Sequence, residues 1–211
     1  MGDVRRMIAA RAAKEIEDGM VVNLGIGIPS LIPDYLRPET KVFFQAENGI
    51  LGMGPTPVNT ADGDLINAAG YPVTVVPGAS YFDSALAFGM IRGGYIDLSI
   101  LGALEVSAEG DLANWLVPGK RVPGVGGAME LAFGARQLIA VMQHVGKDGS
   151  PKIVRECRLP LTARKCVSRI ITEKAVFAIE SDGLHLLEIM EGSTLEDIVN
   201  CTEADLIIDV S

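Results

Sequence analysis

Short apolar runs, most of them ended by a turn-forming residue, set the strongest limit on what this chain can fold into. Val21-Val22-Asn23-Leu24, Val42-Phe43-Phe44-Gln45-Ala46, Val73 to Val76, Leu98 to Leu101 and Leu138 to Met142 are the main examples. Runs so short, with little alternation of polarity, suit strands covered on both faces. Helical patterns and glycine-rich loops lie between them, and such alternation predicts an α/β fold: a mostly parallel open sheet flanked by helices. The 24 glycines and 11 prolines among 211 residues supply the tight turns that this requires.

Val4, Met7, Ile8, Ala12 and Ile16 recur at helical spacing, with Asp3 as the expected cap, Gly19 as the terminator and Arg11 four residues before Glu15. After the first strand, Gly25-Ile26-Gly27-Ile28-Pro29-Ser30 predicts a glycine turn and a short helix with Pro29 in its first turn. Asn48-Gly49 is a turn signal that leaves Glu47 at the carboxyl end of a strand. A helix is expected from Tyr81 to Ile91, with Ser80 as its cap. Beyond Ser150 the strand-like runs 169–172, 175–180 and 184–189, around Ser181-Asp182-Gly183, predict a small antiparallel C-terminal appendage. Thr194 or Ser193 caps a last helix, the Ser193 and Glu196 spacing fitting a capping box. No linker or repeat divides residues 1–211, which read as a single domain.

With 27 acidic against 18 basic residues the chain carries −9, which argues against nucleic acid or an anionic membrane as a partner. The sequence holds no run apolar enough to span a bilayer. Cys157, Cys166 and Cys201 form no disulfide framework, so a reducing cytoplasm is the expected location. His144 and His185 are the only histidines and neither has metal-ligand spacing, so no metal is expected. The Gly25 to Ser30 turn imitates a dinucleotide fingerprint. It lacks the third glycine and a crossover of ordinary length, so no nicotinamide is expected either. Pro77-Gly78-Ala79-Ser80-Tyr81 lacks the second glycine of a serine-nucleophile turn.

Glu47 is the residue best suited to chemistry. It ends an apolar strand and precedes Gly49-Ile50-Leu51-Gly52-Met53-Gly54-Pro55, a loop that desolvates a carboxylate and suits it to proton transfer or covalent catalysis. A second glycine loop, 118–129, offers backbone N–H groups to an anion or oxyanion, with Lys120 and Arg121 adding positive charge. The same composition equally describes a plain surface loop. Arg92-Gly93-Gly94 is open to the same two readings.

Four segments, Val22 to Pro29, Glu47 to Pro55, Asp64 to Ala68 and Pro77 to Phe82, together resemble the β subunit of the 3-oxoacid (acetate, butyrate or acetoacetate) CoA-transferases. The likeness continues through Met90 to Gly94, Gly110 to Trp115, Gly126 to Met129, Leu159 to Thr162 and Ile170 to Thr172, so it spans essentially the whole chain. The resemblance implies that Glu47 is the nucleophile, with the Asn23 side chain and the Gly127 backbone amide forming the oxyanion hole. Gly25, Gly27, Asn48, Gly49, Gly126, Lys120 and Arg121 are then expected at the substrate and CoA site. It further implies ping-pong exchange through a glutamyl-CoA thioester, with no cofactor beyond the CoA substrate. The partner it implies is an α subunit, usually in an assembly with two of each chain. Ala46, Tyr95, Glu130 and Ala163 stand where the family usually has serine, histidine, aspartate and glycine. The first two bear on which acyl chain is preferred. Glu47 as a general base in a hydrolase or sugar-phosphate isomerase, and a ligand-binding subunit without turnover, are the alternatives.

Overall fold

Residues 2–119 and 124–210 are described by a computed structural model of the chain. The amino-terminal half holds α1 (Gly2–Ala12), β1 (Val21–Leu24), β2 (Phe43–Ala46), β3 (Ile50–Met53), β4 (Val75–Tyr81), α2 (Ser84–Arg92) and β5 (Leu98–Gly102). Then come β6 (Glu105–Ser107), β7 (Leu112–Ala113), α3 (Ala128–Gly134), β8 (Gln137–Val141) and β9 (Ile153–Val154). The chain ends with β10 (Arg169–Ile171), β11 (Ala175–Glu180), β12 (Gly183–Ile189), α4 (Leu195–Cys201) and β13 (Leu206–Ile208).

Among the described residues, ten strands form one sheet in the order β13-β12-β11-β10-β8-β5-β1-β2-β3-β4, and β7-β6-β9 form a small second sheet. The five central strands, β10 to β2 in that order, run parallel. Antiparallel pairs flank them on both sides. The architecture is the expected α/β one, and the antiparallel C-terminal strands continue the main sheet instead of standing apart from it.

Alternate residues of the central strands feed two cores. Val22, Leu98, Ile100, Ile139 and Ile171 join Ile8, Ala9 and Ala12 of α1. Leu101, Leu138, Ala140 and Ile170 join Ile91 of α2 and Leu131 of α3 on the opposite face. Arg11 makes the expected contact with Glu15, at 2.6 Å, and also bonds Glu188 of β12 at 2.7 Å, tying α1 across the sheet.

Several local expectations need correction. Asp3 lies inside α1, which already begins at Gly2, and the helix ends at Ala12 with a 3-10 turn over Ala13–Glu15, before extended Ile16 and well short of Gly19. Ser80 caps nothing, because β4 continues through it to Tyr81; Asp83 caps α2 instead, accepting from the Leu86 N–H at 2.8 Å. Pro77 does not end β4 because this is the outermost strand, where a missing N–H is tolerated. The last helix is capped by Thr194, whose box partner is Asp197 and not Glu196. After Gly27 the chain makes a 3-10 helix, Pro29–Tyr35, with Pro33 inside it.

Candidate active site

Glu47 follows β2 in the turn that reverses the chain into β3, and it is half-buried. Gly49 makes that turn possible. Its φ is +119°, and a Cβ there would stand 1.9 Å from the Phe82 carbonyl oxygen. Asn48 is exposed, and its side chain donates to the Ile66 carbonyl at 2.7 Å, fastening the 61–72 segment beside the turn.

Three neighbouring strands place a polar row beneath Glu47. Gln45 of β2 pairs in register with Asn23 of β1, and Asn23 pairs with Ser99 of β5. All three are at most 1% exposed. The Asn23 amide nitrogen donates to Glu47 Oε2 at 3.0 Å, to Gln45 Oε1 at 2.7 Å and to the Gln45 carbonyl at 3.2 Å. Gln45 Nε2 donates to the Ala87 carbonyl of α2 at 3.4 Å. Gly127, the residue before α3, closes the other side: a Cβ built on it would lie 3.2 Å from Glu47 Oε1 and 3.4 Å from Phe88 Cε1. Only a residue without a side chain lets this backbone approach the carboxylate so closely without displacing it.

Two recesses meet at Glu47. One is lined by Leu24, Pro33, Ala46, Met53, Pro55 and Val73. The other is lined by Leu101, Leu104, Trp115, Gly126, Gly127 and Leu131. Gly25, Ile26, Glu47 and Ala68 border both. Arg92 and Glu130 join α2 to α3 through two bonds of 2.9 and 3.0 Å, beside the segment carrying Gly127.

Of the site residues expected from sequence, Glu47, Asn23, Gly25, Gly126 and Gly127 come together, while Gly49 shapes the turn. Gly27 borders a neighbouring groove with Arg5 and Lys147. Lys120 and Arg121 lie outside the described residues. Gln45 and Ser99 were not singled out from sequence. Their signal was a polar residue interrupting an apolar strand, but only the register aligns them with Asn23.

Other reactive groups lie elsewhere. Burial pushes the Cys157 and Cys166 thiols up to about 12 and about 11, so neither is a thiolate at neutral pH. Glu180, Asp182 and His185 gather near the β11–β12 turn with ligand atoms within 4.8 Å, a grouping that the sequence spacing did not suggest. His185 is held between Asp209 and Asp182. Hydrogen bonds to these carboxylates raise its pKa to about 8, which favours an imidazolium ion pair over a neutral metal ligand at pH 7. No helix among the described residues is long and apolar enough to cross a membrane.

The Glu47 carboxylate, the Asn23 amide and the nearby Gly127 backbone gather at the carboxyl-end side of the central parallel strands, the position at which α/β enzymes bind their ligands. Residues 5–200 match the Coenzyme A transferase family, and the chain belongs to that family. It is 58% identical to the β subunit of a probable coenzyme A transferase of Bacillus subtilis, over 98% of this chain and 95% of that protein. It is 50% identical to the corresponding subunit of a probable succinyl-CoA:3-ketoacid coenzyme A transferase of the same organism, over 100% of this chain and 98% of that one. The crystal structure of an acyl-CoA transferase, YdiF of Escherichia coli O157:H7, superposes with a TM-score of 0.80 at 26% identity. That likeness covers 99% of this chain, which spans 43% of the length of YdiF.

Proposed function

We propose that this chain is the glutamate-bearing subunit of a CoA-transferase that moves CoA between an acyl-CoA and a short-chain carboxylate or 3-oxoacid. The observation that carries the reading is the Glu47 carboxylate, held by the Asn23 amide at 3.0 Å, set against Gly127 and open to two recesses. The Glu47 carboxylate attacks the thioester carbonyl, forming an acyl-glutamyl anhydride and releasing CoA thiolate. The thiolate then attacks the glutamyl carbonyl, the original acid leaves as its carboxylate, and a glutamyl-CoA thioester remains. An incoming carboxylate attacks this thioester to give a new anhydride, and the returning thiolate takes its acyl group. Every bond broken is matched by one formed, so no ATP and no cofactor beyond CoA is required.

Each addition turns a carbonyl oxygen into an oxyanion. Asn23 Nδ2 already donates to a Glu47 oxygen, and the Gly127 N–H is the second donor assigned to that charge. Hydrolysis would waste the anhydride and the thioester. The linings are mixed, with Met53 and Val73 beside Asp34 and Asn67 in one recess and Trp115 and Leu131 beside Asn114 in the other, so exclusion of water is assigned to the bound CoA and the α subunit together with these apolar residues. CoA is anionic while the chain carries −9, which supports an α subunit completing the CoA site; an assembly with two of each chain is what the family resemblance adds to this proposal. The cytoplasm, where acyl-CoA pools and reduced cysteines coexist, is the proposed location.

Exchange of labelled acid into acyl-CoA by the chain with its α subunit tests the reading. Glu47→Ala is expected to abolish exchange and leave circular dichroism and Tm near those of the unsubstituted chain. Retained exchange would contradict it, and thiol release with no acid acceptor would favour general-base hydrolysis.

A further inference from the structure

The Asn23 carboxamide has two N–H groups and three acceptors within reach. One N–H serves Glu47; the other is shared between the side-chain and main-chain oxygens of Gln45. An amide turned over by 180° would set its oxygen against all three of those oxygens, so Gln45 fixes which face Asn23 presents to Glu47. The Gln45 amide is itself oriented, because its nitrogen donates to the Ala87 carbonyl and thereby leaves Oε1 for Asn23. Among the described residues, two buried side-chain atoms have no hydrogen-bond partner: Asn23 Oδ1 and Ser99 Oγ. Their residues are register partners on parallel strands and share one face of the sheet. The two needs are complementary, since Oδ1 lacks a donor and the hydroxyl is one.

A buried polar atom left unpaired is costly, and apolar residues occupy the adjoining positions Val22, Leu98, Ile100 and Leu138. A row of amide, amide and hydroxyl is therefore poor core material, and its members line up on Asn23, whose side chain hydrogen-bonds Glu47. We propose that Gln45 and Ser99 are positioning residues for the CoA-transfer reaction: Gln45 holds the Asn23 carboxamide by hydrogen bonds, and the Ser99 hydroxyl, unbonded in the resting structure, is the donor that Asn23 Oδ1 takes as charge develops, so that an N–H stays on the Glu47 oxygen that becomes negative. Ser99 lines neither recess; Gln45 borders the first, but its hydrogen bonds run to Asn23 and to the Ala87 carbonyl, and the role assigned to both is exerted through Asn23. This rests on Glu47 forming the acyl and CoA adducts described above.

The test is a set of double-mutant cycles in the complex with the α subunit, measuring kcat, KM for acyl-CoA and Tm. Gln45→Met is expected to lower kcat about tenfold, and Ser99→Ala about threefold, each with KM within about twofold, as for contacts that matter in the transition state. Ser99→Ala is expected to leave Tm nearly unchanged, because the hydroxyl makes no hydrogen bond in the resting structure and engages Asn23 only as charge develops; a merely structural serine would not couple a steady Tm to a lower kcat. In the Asn23→Ala background neither substitution is expected to lower kcat further. Multiplicative losses in that background, or a Ser99→Ala chain with unchanged kcat, would overturn the proposal, and the serine cycle decides it even where Gln45→Met fails to fold. A CoA adduct on Glu47 of the unsubstituted chain separates the two layers. Its presence with multiplicative losses overturns the positioning role alone; its absence overturns the reading of Glu47 and this role with it.

Discussion

Two of the buried polar clusters, one within the main sheet at Asn23 and one just beyond the ends of β8 and β10 at His144, differ in how completely they are satisfied. Around His144, which is 0% exposed, Nδ1 meets the Thr172 hydroxyl and Nε2 the Thr202 hydroxyl, each at 3.0 Å. The backbone N–H of His144 donates to Glu173 at 2.9 Å. Burial first, and then the nearby Lys174 and Lys152 charges, lower the His144 pKa to about 4, so the ring is neutral. Around Asn23, one nitrogen serves three oxygens while its own oxygen and the Ser99 hydroxyl go unpaired. The satisfied cluster joins β8, β10 and the end of α4 and faces neither recess at Glu47. The unsatisfied one lies beneath a half-buried carboxylate. In the His144 cluster both ring nitrogens are partnered by neighbouring hydroxyls, whereas at Asn23 the N–H groups are fully engaged and what is left over is an acceptor oxygen and a hydroxyl.

Substitutions in the two clusters are expected to part activity from stability. Glu47→Ala has the largest expected effect: exchange falls to background with the fold retained, since one turn carboxylate rarely holds a core together. Asn23→Ala is expected to reduce kcat by about 10²- to 10³-fold, the usual loss for one oxyanion donor, in a steady-state assay. An unchanged rate would remove Asn23 from the site.

His144→Ala is expected to do the reverse. Urea unfolding should show a loss of about 2–3 kcal/mol, from the cavity and the lost hydrogen bonds, while kcat per folded molecule stays the same. A drop in kcat without destabilisation would break the distinction between the clusters. Gly127→Ala is expected to cost about tenfold in kcat, because the added Cβ meets Glu47 Oε1 at 3.2 Å and shifts it. Its Tm should hardly change, since φ there is −82° and suits alanine.

The two histidines sharpen the contrast through pH. Folding lowers the His144 pKa from 6.5 to about 4, so the unfolded chain binds the proton first. Its contribution is complete above 6.5 and declines as pH falls toward 4, by about 1 kcal/mol per pH unit. His185 has the opposite sign: raised from 6.5 to about 8 by Asp209 and Asp182, it stabilises below 6.5 and loses that effect as pH rises through 8. Tm against pH should show a shallower acid limb in His144→Ala and a slightly flatter alkaline limb in His185→Ala.

Much of this was legible in the residues. The apolar runs marked four of the five central strands, β1, β2, β5 and β8, whereas β10 was read as part of the antiparallel appendage and pairs parallel with β8. Val73 to Val76, read as a buried strand, leads into the largely exposed outermost strand β4; Asn48-Gly49 marked the turn that follows Glu47. Cap identities were less legible, because Ser80 and Asp83 are both competent caps and only the extension of β4 along the sheet edge decides between them. Gln45 and Ser99 escaped notice for a different reason. A strand's periodicity says which face a residue occupies, whereas the alignment of three strands depends on long-range packing. The same packing sends Asn48 to Ile66 and Gly27 to a neighbouring groove.

The central claim is that Glu47 carries CoA covalently during turnover. The intact mass of this chain, mixed with its α subunit and an acyl-CoA and then mapped by peptide digestion, tests it most directly. The account predicts a mass increase corresponding to a CoA thioester, located on Glu47, that disappears on adding an acceptor carboxylate. An unmodified chain in a complex that still exchanges CoA, or an adduct on another residue, would contradict it.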